Sequence, residues 1–319
     1  MTVTPRARRL ATFVFLAVAL VFVGALLRGQ WTSLDEILAA TRRFDWSFDP
    51  WWLTAAGGVG VGNLFLMGLV WVGLFRCTGG AARPAEAVRV WVVTNFGRYI
   101  PGKVWQLGGL AVYMKGRGDS GAAALVSALA FQIISLVTGA AISVATIGVK
   151  WAGGDSGWLP GLLTLGLILF AGLHPRVIRW IAGRLGSWLG ETVVGVDLGA
   201  RDILRAAVGM LTAWLLYGVG FLLLLRGVGV PWEVSQLHVL TGIFAASYVV
   251  GYLVLVAPGG LVVREGAMTA LLAELGGLAV GVAAAVAIMA RVWVVLAELV
   301  ALLLVLLWPR FGKEEERLA

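Results

Sequence analysis

The chain has 319 residues, 60% of them hydrophobic and 13% charged, with a net charge of +8 and one cysteine, Cys77. Soluble proteins carry roughly 25% charged residues, so this composition excludes an ordinary soluble domain and implies a polytopic membrane protein. A lone cysteine excludes an intrachain disulfide and a thiolate metal site, and His174 and His238, far apart, give metal catalysis almost nothing to work with.

The Lys and Arg residues fall mostly in short loops, where they set orientation and meet anionic headgroups. With no basic-aromatic module in the chain, they do not point to nucleic acid. Arg6, Arg8 and Arg9 precede a first apolar run, residues 10–27. No small-residue cleavage site follows, so this run reads as an uncleaved span. A loop of mixed charge leads to a second span, residues 51–75, whose Gly58 and Gly62 are expected to let another helix approach closely.

Residues 86–115 are apolar on both sides of Arg98-Tyr99-Ile100-Pro101-Gly102-Lys103. Neither arm is long enough to cross at 1.5 Å per residue. They are expected to form a re-entrant helical hairpin, the alternative being two amphipathic helices on the membrane surface. A third span covers 122–147, with Gln132 near its middle, and a fourth covers 158–173, followed by a basic stretch with Arg176, Arg179 and Arg184. A fifth covers 206–225. Residues 239–275 form a second hairpin broken at Pro258-Gly259-Gly260, although 239–256 is marginally long enough to cross by itself. The last span lies within 278–308 and carries Arg291 and Glu298.

The distribution of positive charge puts the N-terminus in the cytoplasm. The expected fold is therefore all-α: one membrane domain over 1–319, about six full spans, and two re-entrant hairpins inserted from opposite sides. Halves of about 10–150 and 158–308 form an inverted repeat. Paired breaks in corresponding positions of two halves are a pointer to a transport site, because irregular backbone at bilayer depth is tolerated only where protein or a watery cavity satisfies it.

Charge in a membrane interior costs at least about 2.5 kcal/mol per residue on insertion scales. Arg98 and Lys103 flank the first break and suit a phosphate clamp, Arg through its planar fork; headgroup-level anchoring is the bland alternative. Asn95 and Tyr99 adjoin this break. Arg264 and Glu265 follow the second break, about 100° apart on a helix, so Glu265 is expected to meet Arg291, either as a buried structural pair or as a headgroup contact. Pro101, Gly102, Pro258, Gly259 and Gly260 are the turn residues. On this reading, Arg98→Ala reduces transport without reducing folded protein. Asn63, Asn95, Gln106 and Gln132 are expected to hydrogen-bond between helices. Trp105, Tyr248, Tyr252 and most of the 15 tryptophans are expected to be interface anchors. Nucleotide-loop, zincin and nucleophile-elbow motifs are absent. Only Asp35, Glu36, Asp45 and Asp49 offer a loop carboxylate for a membrane glycosyltransferase.

The segments Asn95-Phe96-Gly97-Arg98-Tyr99-Ile100-Pro101-Gly102-Lys103-Val104-Trp105 and Pro258-Gly259-Gly260-Leu261-Val262-Val263-Arg264-Glu265-Gly266, followed by Arg291, resemble the lysylphosphatidylglycerol synthase transmembrane-region family, the flippase part of bacterial multiple peptide resistance factors. The resemblance covers about residues 10–308. It implies movement of a phospholipid headgroup between leaflets of the cytoplasmic membrane, with no cofactor. The synthetase domain of two-domain members has no counterpart in this chain, so aminoacyl transfer does not carry over. The family's second motif commonly has Gly where Val262 stands. The expected cargo is an anionic or aminoacylated phospholipid or a polyprenyl phosphate. A lipid-modifying enzyme on a separate chain and a second copy of this chain are expected partners. The rival readings are a lipid-carrier glycosyl- or phosphotransferase and a non-catalytic membrane anchor for such an enzyme.

Overall fold

A computed structural model describes residues 41–99, 104–152, 198–253 and 262–307, with a few isolated positions elsewhere. The expected spans at 10–27 and 158–173 lie outside the described residues, as do Pro101, Gly102, Lys103, Pro258, Gly259 and Gly260. The described residues form α1 (Pro50–Cys77), α2 (Pro84–Asn95), a 3-10 turn (Phe96–Tyr99), α3 (Val104–Lys115), α4 (Gly121–Ala152), α5 (Ala200–Gly227), a 3-10 turn (Val234–Gln236), α6 (Leu237–Leu253), α7 (Val263–Gly276) and α8 (Val280–Leu307), with no strand among them. The protein is an all-α membrane protein.

The helix starts follow from local chemistry. Asp49 caps α1 by accepting from the Trp51 amide at 2.8 Å, with Pro50 in the first turn, where its missing N–H is not needed. Pro84 opens α2 in the same way. Between them, the Asp119 carboxylate accepts from the amides of Ala81, Ala82 and Ser120, so it ties the loop after α1 to the start of α4.

Among the described residues, five helices are long and apolar enough to cross a membrane: α1, most of α4, α5, Val234–Leu253 and α8. Four of these match expected spans. The fifth is the first arm of the second break, which the sequence had left marginal. At 12 residues each, α2 and α3 rise about 18 Å apiece, short of a hydrocarbon core of about 30 Å.

The packing has a two-fold pattern. α1 and α5 share the most extensive contact and run antiparallel: Leu53 packs on Gly227, Val59 on Gly220 and Val70 on Gly209. α4 and α6 also run antiparallel, with Thr146 against Gly242 and Val249 against Gly139. Exchanging α1–α4 for α5–α8 turns every pair of packed helices into another packed pair: α1·α2 into α5·α6, α3·α4 into α7·α8, α4·α6 into α8·α2.

The core is aromatic, which takes four tryptophans out of the expected interfacial belt, while Trp51 and Trp52 at the start of α1 are exposed. Trp71, Trp91, Trp214 and Trp293 are all buried. Three of their indole N–H groups donate across helices: Trp71 to the Ser127 hydroxyl at 3.0 Å, Trp214 to Thr138 at 3.2 Å, and Trp293 to the Ala56 carbonyl at 2.9 Å. A buried indole finds such a partner because its polar tip is otherwise stranded. The close helix approach is also two residues from where the spacing put it. A Cβ on Gly58 or Gly62 would meet nothing within 4 Å, whereas at Gly60 it would stand 2.9 Å from the Ala297 Cβ.

Candidate functional site

Both breaks deliver their charged residues to the middle of α8. Arg98 and Tyr99 end the 3-10 turn after α2. Arg98 forms an ion pair with Glu298, and the Tyr99 hydroxyl donates to the same carboxylate at 2.6 Å. Two helical turns earlier on the same face of α8 stands Arg291, whose Nε lies 3.9 Å from Glu265 Oε1 on α7. The Tyr99 ring joins the two pairs, with the guanidinium carbons of Arg98 and Arg291 at 5.3 and 5.4 Å from its centroid. Cations over an aromatic face gain up to about 2 kcal/mol where water is excluded. Glu298 is 2% exposed, so its charge is held by Arg98 and Tyr99 rather than by solvent.

Arg264 differs. It is 7% exposed, and no carboxylate lies within 4 Å of it among the described residues. Its guanidinium carbon lies 4.8 Å from the Phe244 ring centroid and 5.8 Å from that of Tyr248, so two rings of α6 carry it. Gly251 lets α7 come this close: a Cβ there would stand 2.7 Å from the Arg264 Cβ.

Arg98, Arg264 and Arg291 line one cavity, together with Asn95, Gln106 and Gln132. The volume open to the centres of water molecules is about 60 Å³, room for roughly four waters or a headgroup-sized polar group. Its walls come from both halves: α1, α2 and its turn, α3 and α4 on one side, α6, α7 and α8 on the other. Tyr248 and Tyr252, expected as interface anchors, instead line it. The Asn95 carbonyl accepts from the Gln106 amide at 3.1 Å, a link between the arms α2 and α3 of the kind the sequence led us to expect. Asn63 is buried in α1 with neither amide atom bonded, so no interhelical bond forms there.

The structure thus brings together Asn95, Arg98, Tyr99, Arg264, Glu265 and Arg291; Lys103 lies outside the described residues. Sequence reasoning paired Glu265 with Arg291 but missed Glu298 as the partner of Arg98 and Tyr99. The signal available was a buried acid two turns after Arg291. Its partner, about 200 positions away, is not readable from that spacing.

Three arginines lining one cavity inside a helical bundle, two of them paired with carboxylates beside it, define a multi-pass membrane protein with a cationic interior site. The chain belongs to the family described as the lysylphosphatidylglycerol synthase TM region, whose model matches residues 10–305. No curated protein and no solved structure matches the chain.

Proposed function

We propose that this protein is a lipid translocator of the cytoplasmic membrane, moving the headgroup of an anionic or aminoacylated phospholipid, or of a polyprenyl phosphate, between leaflets without itself being an enzyme. One observation carries the reading: three arginines line the cavity, Arg98 and Arg291 are each paired with a carboxylate, and Arg264 has none within 4 Å among the described residues. A buried cation held only by rings is costly unless a ligand's negative charge completes it. Phosphate is the anion that every lipid in this class offers, and the arginine fork bonds two of its oxygens at once.

The architecture supports the same reading. Antiparallel α1 and α5, and a neighbour pattern that survives exchange of the halves, fit an inverted repeat. Within it, we read α2–α3 and α6–α7 as two oppositely inserted hairpins whose flanking charges, Arg98, Arg264 and Glu265, converge on α8 and the cavity beside it. The headgroup enters between the tips while its tails stay in the bilayer. A lipid-modifying enzyme on a separate chain supplies or consumes the lipid, and the N-terminus is cytoplasmic. A homodimer is compatible with this arrangement.

The test is leaflet accessibility of fluorescent phosphatidylglycerol, lysyl-phosphatidylglycerol and polyprenyl phosphate in liposomes containing the full chain. The expected result is faster exchange of at least one lipid, lost at least ten-fold in Arg264→Gln with the amount of folded protein unchanged. Removing Arg264 strands no carboxylate, so the loss is one of function. Unchanged exchange of all three lipids by folded protein overturns the reading. Product formation from a lipid carrier in detergent, with no second leaflet present, favours a transferase.

A further inference from the structure

Two side chains that line the cavity carry hydrogen-bond donors with no partner among the described residues. Asn95 is 1% exposed, and its Nδ2 has no partner. The orientation of this amide is fixed, because its other end, Oδ1, already accepts from Gln106. Gln132, in the middle of α4, has a buried Nε2 that is likewise without a partner. A buried donor left unmade costs about 1–3 kcal/mol, so two of them beside a cation that also lacks a carboxylate are an arrangement of unmet need. Each of the three groups can only give hydrogen bonds at these atoms. They come from α2, α4 and α7 and line the same small cavity.

We infer that Asn95 Nδ2, Gln132 Nε2 and Arg264 form an oxyanion cradle, in which the two amides bind the oxygens of the phosphate whose charge Arg264 meets. Both amides are then ligand contacts; the sequence had Asn95 among its candidate headgroup contacts and favoured packing for Gln132. Gln106 is a positioning residue that keeps the Asn95 donor turned inward. A group of tetrahedral oxygens satisfies three convergent donors, which an ammonium or a sugar hydroxyl does not. Arg98, already bonded to Glu298, frames the cavity without holding the anion. The inference rests on the transport reading for the identity of the lipid but not for the chemistry of the site, since free phosphate offers the same oxygens.

The experiment is equilibrium binding to the purified full chain in detergent, with three probes: dihexanoyl-phosphatidylglycerol, inorganic phosphate, and dihexanoylglycerol, which lacks the phosphate. The variants are Gln132→Met, which keeps volume and removes the donors, and Asn95→Asp, which keeps the acceptor for Gln106 and replaces the donor with an oxygen. Gln132→Glu, polar and of similar size, guards against misfolding of the Met variant. Gel filtration reports the folded state. Losing a hydrogen bond to a charged group is expected to weaken binding of the phosphate-bearing probe roughly 10- to 100-fold, with dihexanoylglycerol unaffected. Tight binding of phosphatidylglycerol that depends on both amides supports the cradle and the lipid reading together. Phosphate binding with the same dependence, and no preference for the lipid, keeps the cradle and removes the lipid reading. Wild-type binding by folded Gln132 and Asn95 variants overturns the cradle while leaving transport intact. Absence of binding of either phosphate probe to the wild-type chain also overturns it.

Discussion

The two broken regions are built from the same plan and stabilised differently. The first, α2 and α3, is made of short arms cross-linked by polar contacts: Asn95 to Gln106 inside and Glu86 to Arg117 at the exposed base. Its cation, Arg98, is bonded to Glu298 on α8. In the second, α6 and α7, the first arm is buried in the core. Most of α6 is inaccessible to solvent, α7 leans on it at Gly251, and its cation, Arg264, rests on aromatic rings with no acid of its own. One region is closed by charge, and the other is closed by packing with a charge left over. In a site that has to take up an anion, the braced cation holds the frame and the unbalanced one meets the ligand.

That contrast changes what the arginines should do when removed. From the sequence, Arg98→Ala looked like a clean transport defect. With Glu298 as its partner, the change strands a buried carboxylate, so folded protein should fall as well. A large stability effect is also expected for Glu298→Gln, which leaves Arg98 and its charge without an acid. Breaking a buried pair from one side costs about 3–5 kcal/mol, and partial exposure of Arg98 puts this site near the lower end. Arg264→Gln strands nothing and should melt close to the wild-type temperature. Adding Arg98→Gln to Glu298→Gln should recover part of the loss, and a double-mutant cycle of melting in detergent measures the coupling. If Glu298→Gln and Arg264→Gln melt alike, the distinction between the two regions collapses.

A smaller effect tests the packing half of the comparison. Gly→Ala inside a helix ordinarily stabilises by about 0.5–1 kcal/mol. At Gly251 the new Cβ would stand 2.7 Å from the Arg264 Cβ and 3.2 Å from its Cα, so α7 must shift. Overpacking of this kind costs about 1–3 kcal/mol, and Gly251→Ala should lower the melting temperature and weaken transport together. Gly62→Ala, with nothing within 4 Å of its Cβ, is the matched control and should be neutral or mildly stabilising.

Much of the architecture was legible because membrane sequence is a strong code. Run length marked α1, α4, α5 and α8, and the charges beside the two Pro-Gly breaks marked Arg98, Arg264 and Glu265. Glu265 and Arg291 could be paired because acids and bases are rare among apolar residues and must find each other. The rest depended on tertiary geometry. Which side of α1 approaches α8 turns on an offset of two residues, about 200° round the helix, Gly60 rather than Gly58 or Gly62. Tryptophans read equally well as belt or core until the acceptors Ser127, Thr138 and the Ala56 carbonyl are in place. Glu298 could not be assigned to Arg98 and Tyr99 because no sequence period connects α8 to the turn after α2. Whether a polar residue such as Gln132 packs or binds depends on where its amide points, which the helix alone does not state.

The smallest expected effect is a gain, and it concerns the turn residue at the start of α7. Val262, just before α7, has φ 72° and ψ −46°. This is close to the γ-turn geometry that is rare and strained even in tight turns, and a β-branched residue suits it least. Glycine adopts such angles without the clash. Strained backbone of this kind costs about 1–3 kcal/mol. Glycine's extra freedom in the unfolded chain offsets part of the relief, so Val262→Gly should stabilise by about 1 kcal/mol, read as a higher melting temperature in detergent. A valine replaced by glycine in α6 should do the opposite. The turn sets the direction in which Arg264 and Glu265 leave the break, so the same variant also reports on transport. A more stable protein with unchanged exchange makes the strain incidental. A more stable protein with slower exchange means that the strained turn holds the second tip ready to move, a role that the charge-braced first tip does not share.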